Sequence, residues 1–130
     1  MLQSRRFFCV LGFTLALLTV AGCGGGGEFG TEKVSGRVMF QGNPVADASV
    51  QFIPQASREG RLAGKAAIGK TDANGRFTLS TYQPGDGAVI GVHKVMVGIE
   101  DPDKKLPGNV PEGFTLEVKK GANEFEITLN

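Results

Sequence analysis

From residue 32 to residue 130 the chain reads as an all-β domain, a seven-stranded antiparallel β-sandwich. Three observations predict it. Apolar side chains recur at every second position in seven separate runs, the mark of a half-buried strand. No window carries a convincing 3.6-residue period. All six prolines (Pro44, Pro54, Pro84, Pro102, Pro107, Pro111) fall between these runs or at their ends, where a missing N–H does no harm.

The runs follow in order. Val34, Gly36, Val38 and Phe40 alternate with Ser35, Arg37 and Met39. Ala48, Val50 and Phe52 alternate with Ser49 and Gln51. Ala66 and Ile68 open a weaker strand that reaches Lys70. Phe77, Leu79 and Thr81 form the fourth run, and Val95, Val97 and Ile99 the fifth. Phe114, Leu116 and Val118 make the sixth, and Phe125, Ile127 and Leu129 the last. Turn residues separate them. Gln41-Gly42-Asn43-Pro44 is expected to lead the first strand into the second, and Lys120-Gly121-Ala122-Asn123 to join the last two. Asp72-Ala73-Asn74-Gly75 is a hairpin signal, because Asn-Gly supplies the positive φ that tight turns need. The expected core is Phe40, Val50, Phe52, Phe77, Leu79, Val95, Val97, Leu116, Val118 and Ile127.

Composition excludes several classes. The 130 residues carry a net charge of +1, with 14 basic and 13 acidic groups. Without Arg5 and Arg6 the basic count falls to 12 and the remainder is slightly acidic. Lysine and arginine are nowhere clustered, so no nucleic-acid footprint exists. Two cysteines cannot build a disulfide framework, and one histidine is too few for a typical metal site. No cofactor and no small-molecule substrate is evident.

The N-terminus reads as an address. Met1–Arg6 is a short basic stretch, followed by the uncharged run Phe7–Ala21 of 15 residues. A membrane span needs about 20, so the run suits the hydrophobic part of a secretory signal. Val20-Ala21-Gly22-Cys23 then resembles the bacterial lipobox. That resemblance implies a signal peptide over 1–22 and cleavage before Cys23. It also implies lipid attachment at Cys23, with diacylglycerol on the thiol and an acyl chain such as palmitate on the amine. Ser4-Arg5-Arg6-Phe7-Phe8 also resembles the start of a twin-arginine export motif, although Cys9 and Val10 replace the residues that usually follow. Residues 23–31 form the lipidated cysteine and a Gly-rich tether, whose coil reaches about 17 Å end to end. Gly24 is not the aspartate that commonly retains a lipoprotein on the inner membrane, which leans toward the outer one. The expected location is the cell envelope, lipid-anchored to a membrane, with the domain on the periplasmic or extracellular side.

The domain itself resembles a known module. Val34-Ser35-Gly36-Arg37-Val38 and Gly42-Asn43-Pro44-Val45-Ala46-Asp47-Ala48-Ser49-Val50 resemble the opening of the carboxypeptidase regulatory-like, or transthyretin-related, domain. Thr71-Asp72-Ala73-Asn74-Gly75-Arg76-Phe77-Thr78-Leu79 resembles its central hairpin. Gly91-Val92-His93-Lys94-Val95-Met96-Val97 resembles a later strand, with His93 where a tyrosine is usual. The likeness covers roughly residues 33–99. It implies a Greek-key β-sandwich of the prealbumin, transthyretin-like type, without catalysis, in an accessory, structural or binding role. The partners it implies are the membrane through the anchor and an unidentified envelope protein or polymer.

Two other functions fit these residues less well. A carbohydrate-binding module usually stacks sugars on Trp or Tyr, and here only Tyr82 is present. A transthyretin-related hydrolase ends in Tyr-Arg-Gly-Ser and uses several His and Arg residues, whereas this chain ends Ile127-Thr128-Leu129-Asn130. The single His93 is expected to hydrogen-bond a backbone group at the core edge. Asp72, Asn74, Asp101 and Asp103 fit Asx turns better than a calcium loop, whose fuller acidic spacing is absent. Ser35 and Ser80 lack any His–Asp set. The long connections 55–64, with Arg58, Glu59 and Arg61, and 101–113, with Asp101, Asp103, Lys104 and Lys105, are where a partner is expected, at the sandwich end they decorate.

Overall fold

The computed structural model of the protein describes residues 30–56 and 64–130. The expected signal segment, Cys23, the glycine run, and Arg58, Glu59 and Arg61 lie outside the described residues. Ten strands and no helix occur among the described residues: β1 (Thr31–Glu32), β2 (Val34–Phe40), β3 (Asn43–Pro44), β4 (Ser49–Pro54), β5 (Ala67–Lys70), β6 (Arg76–Thr78), β7 (Ala88–Val89), β8 (Gly91–Gly98), β9 (Thr115–Val118) and β10 (Asn123–Leu129). The seven strands read from alternation are all present, but β5 turns its faces the other way: Ala67 is buried, and Ile68, one of the two apolar positions read for that run, is about half exposed. Three two-residue strands, β1, β3 and β7, join them, because a pair that short leaves no period in a sequence.

One four-stranded sheet is built on β2. It pairs along its whole length with β10, and on its other edge with β3 and β6. The second has the order β5-β4-β8-β9 and is antiparallel throughout. β1 and β7 form a small ribbon in which Thr31 pairs with Val89. Thr31, placed in the tether by sequence, is therefore already part of the fold. The two larger sheets share one core in a sandwich-like arrangement, with Val34, Val38, Phe77 and Ile127 from the first against Val50, Phe52, Val95 and Val118 from the second. Phe52 sits at its centre, with ring centroids 6.4 Å from Phe77, 5.9 Å from Phe125 and 5.7 Å from His93.

Three expectations need correction. The sheet is not antiparallel everywhere, since β10 runs parallel to β2 in the register Asn123↔Val34 to Leu129↔Phe40. Alternation is the same in parallel and antiparallel strands, so the direction was invisible. Residues 41–44 do not lead straight into the next long strand. Gln41 and Gly42, at φ 49° and 79°, fold the chain back so that Asn43 pairs with Phe40, and β4 then begins in the other sheet. Residues 120–123 likewise pass between sheets, because β9 pairs with β8 and β10 with β2. The Asn123 side chain bridges that jump, accepting the Lys119 N–H at 2.9 Å and donating to the Lys119 carbonyl at 2.8 Å.

The Asp72–Gly75 turn is hairpin-like but also a corner. Asp72 N–H donates to the Arg76 carbonyl at 2.9 Å, after which β5 and β6 part into different sheets, and the chain beyond β6 rejoins β5 at the Ile68↔Ser80 bridge. Of the expected core, Phe40, Val97 and Leu116 pack against it while remaining partly exposed. They lie towards sheet ends or on the β9 edge, where the covering layer runs out. Leu129, Val34, Val38 and Ala48 are buried although that core did not include them.

Candidate functional site

Strand direction gives the molecule two distinct ends. β2 starts beside β1, because Lys33 lies between them, so the chain arrives at the end where Val34 lies. Phe40, six residues on at about 3.3 Å each, marks an opposite end roughly 20 Å away. The flanks of the 55–64 connection lie at the arrival end, where Gln55 N–H bonds the Val92 carbonyl. The 101–113 segment begins at the far end, where Asn109 and Asn130 exchange backbone hydrogen bonds at 2.9 and 3.0 Å. The two loops therefore do not decorate one end. Sequence could not show this, since their positions depend on which way each flanking strand runs.

A groove of about 470 Å³ opens at the far end. Phe40, Ile99 and Pro107 form apolar walls, and Asn43, Lys104 and Lys105 bring polar groups to it. Gln41 lines it and Asp47 follows Ala46 at its rim; these are the two non-glycine residues with positive φ among the described residues, at 49° and 57°. Asp tolerates that conformation, but Gln41 does so at a cost of about 1–2 kcal/mol. Strain of this kind gathers where a surface has a task beyond stability.

The segment beneath the groove is tied down. Asp103 N–H donates to the Asp101 carboxylate at 3.0 Å, and Lys104 N–H to the Asp101 carbonyl at 3.1 Å. Gly108 lies so close to the Phe40 ring and the Asn130 carbonyl that a Cβ there would sit 2.8 Å from each. Lys104 Nζ then reaches Asp47 at 3.0 Å. That hydrogen bond, followed by the charge itself, holds the Asp47 carboxyl below its ordinary value and the Lys104 ammonium above its own. Lys105 has no ion-pair partner among the described residues. The groove can thus offer one ammonium, side-chain amides and apolar walls to an extended or carboxylate-bearing partner.

The remaining candidates are placed elsewhere. His93 is wholly buried rather than at the core edge, and its Nε2 lies 2.7 Å from the Val89 carbonyl. A carbonyl oxygen only accepts, so Nε2 carries the hydrogen. Nδ1 faces the core without a partner. Ser80 Oγ accepts the Gly85 N–H at 2.7 Å, and the Asp72 carboxylate accepts from Asn74 and Arg76 N–H at 2.8 and 3.0 Å. Asp72 and Asp101 are Asx-turn residues at work. No group of three or more metal-ligating side chains occurs among the described residues. Sequence reading singled out Lys104 and Lys105 but missed Phe40, Gln41 and Asn43 as one surface. Glutamine in a turn position that favours Gly or Asn was the available signal.

No protein-family model matches the chain. No curated protein matches it either. A solved structure that it resembles is a DUF3823 family protein from Parabacteroides merdae ATCC 43184, at 17% identity and a TM-score of 0.45. The likeness covers 79% of this chain and 47% of that one, so this chain spans about half of the other's length.

Proposed function

We propose that the protein is a lipid-anchored cell-envelope module, a non-catalytic Greek-key sandwich of the prealbumin type whose outward end binds a protein or polymer of the envelope. The observation that carries this reading is the opposition of the two ends. The segment that follows Cys23 joins the fold at Thr31, while the groove of Phe40, Asn43, Lys104 and Lys105 lies at the other end. A module held by its N-terminus would leave that groove the better presented of its two ends. The lipobox-like Val20-Ala21-Gly22-Cys23 and the resemblance of residues 33–99 to the carboxypeptidase regulatory-like domain supply the rest. One acyl chain gives only reversible attachment, and two or three make it stable.

The test has two arms. Cys23→Ser abolishes incorporation of labelled palmitate and leaves an unprocessed precursor, whereas Cys9→Ser has no effect. Cross-linking from intact cells through a photoreactive group at Lys105 captures a specific partner, and the same group at Lys65 does not. Normal maturation of the Cys23→Ser chain rules out the anchor. Equal capture from both positions rules out the groove.

A further inference from the structure

We propose that the outer face of the β5-β4-β8-β9 sheet is the surface on which the anchored protein rests against an anionic lipid bilayer. This rests on the lipid anchor proposed above and adds to it an orientation. The large apolar side chains that stay about half exposed among the described residues are Ile68, Ile90, Val92 and Met96. Register puts them together. Ile68 and Met96 both pair with Gln51, so the three form one row across β5, β4 and β8. Val92 shares their face through the two-residue period of β8, whose other face buries His93 and Val95. Ile90 lies just before that strand. Apolar side chains scattered singly over a surface need no explanation, but a set gathered on one sheet face does.

Charge and chain geometry choose the occupant. Lys94 stands between Val92 and Met96 on β8, and Lys119 follows β9 on the same face, with Glu117 as the acid between them. Lys33 and Lys120 lie at the end where the chain arrives. The acids Asp47, Glu100, Asp101 and Asp103 lie at the other end beside Lys104 and Lys105, and Glu32 lies at the arrival end, so it is the sheet face itself that carries the excess of cations. Lysine stems cover apolar surface while their ammonium groups reach outward to phosphate, an arrangement suited to an anionic headgroup layer. Thr31 pairs with Val89, the residue before Ile90, so the chain joins the fold at the edge of this face. Eight residue steps separate Cys23 from Thr31 and span at most about 29 Å. An acylated Cys23 thus keeps this edge within that distance of the bilayer, where even weak apolar and ionic contacts act at high effective concentration.

The test uses the full-length chain, expressed and purified with its anchor and placed in vesicles of phosphatidylcholine with phosphatidylglycerol, or of phosphatidylcholine alone. Cys9 departs with the signal and an acylated Cys23 has no thiol, so an environment-sensitive fluorophore attaches only at an introduced cysteine. In the mixed vesicles the label on Val92→Cys shifts to the blue and is quenched by nitroxide-bearing lipid. The label on Ala73→Cys, in the far-end turn, does neither. Adding Lys94→Gln and Lys119→Gln reduces the quenching at position 92, as does leaving out phosphatidylglycerol. An unquenched label at 92 in a chain whose mass shows the acyl groups overturns the resting face and leaves the anchor standing. So does efficient cross-linking of two unlabelled Val92→Cys chains by a short bifunctional thiol reagent, which means that a second copy covers the face. A wild-type chain that takes the fluorophore on Cys23 overturns the anchor, and with it the orientation.

Discussion

The Lys104 ammonium lies 3.0 Å from the Asp47 carboxylate, joining two segments 57 residues apart in the chain at the mouth of the far-end groove. Both side chains are about half exposed, so the pair positions a surface more than it stabilises a fold. Its hydrogen bond, then its charge, depresses the Asp47 carboxyl, and Lys70 adds to the effect.

The Asp47 carboxyl should therefore titrate below the ordinary aspartate range when followed by carbon NMR, and Lys104→Gln should raise its midpoint. The sign follows from linkage. A depressed carboxylate contributes above its unfolded value, and that contribution disappears as pH falls through the folded value. Lys104, whose ammonium is favoured, contributes below its unfolded value and ceases to as pH rises through the folded one. Salt should weaken both shifts. A midpoint unmoved by Lys104→Gln would mean that the pair does not persist in solution.

Phe52→Ala should cost about 3–5 kcal/mol, measured by urea unfolding. Phe52 is fully buried and meets the rings of Phe77, Phe125 and His93, so no neighbour collapses easily into the space. Phe40→Ala should cost less, because Phe40 is only partly covered. Equal losses would contradict the placement of the core.

Gly36→Ala should destabilise by about 1–3 kcal/mol through overpacking. A Cβ at Gly36 would overlap the Phe125 carbonyl and the Phe77 ring, whereas one at Gly98 meets nothing within 4 Å. Gly98→Ala is the control, expected to leave the unfolding midpoint nearly unchanged.

Asp86 holds the 81–87 turn by accepting N–H bonds from Thr81, Tyr82 and Gln83 at 2.7, 3.0 and 3.0 Å. Burial alone would raise its carboxyl, but these donors outweigh it and hold the carboxyl below its ordinary value. Asp86→Ala should cost about 1–3 kcal/mol at neutral pH. The difference from wild type should shrink as pH falls below the unfolded aspartate value and through the folded one. A difference that stays constant down to acid pH would refute the charge-assisted turn.

His93→Gln should lower the melting temperature by loosening the bond that ties β8 back to Val89. It should leave partner capture through Lys105 intact, since the imidazole is buried away from the groove. Loss of capture with an unchanged melting temperature would make His93 a binding residue.

Much of this molecule is legible in one dimension. The period-two runs place Val50, Phe52, Phe77, Val95 and Ile127 in the core, because side-chain direction in a strand is a local consequence of backbone geometry. Asp72 and Asp101 read correctly as turn residues, because an Asx turn spans two residues. The groove was only partly legible. Lys104 and Lys105 stood out on a long loop, but Phe40, Gln41 and Ile99 come to them only when separate sheets close on one core.

By itself, then, the sequence determined seven of the strands and, in all but β5, which of their faces turn inward, and it carries the lipobox-like motif at Cys23 on which the proposed anchor rests. These depend on contacts between near neighbours or on a short linear motif. Only the tertiary structure decided that β10 lies parallel to β2, and that β9 and β10 belong to different sheets. It also decided that the two long loops leave from opposite ends, and that Asp47 meets Lys104. The physical reason is that strand alternation carries no direction and no partner. Those are chosen by the one arrangement that buries Phe52, Val38 and Ile127 together while giving the strand backbones hydrogen-bonding neighbours.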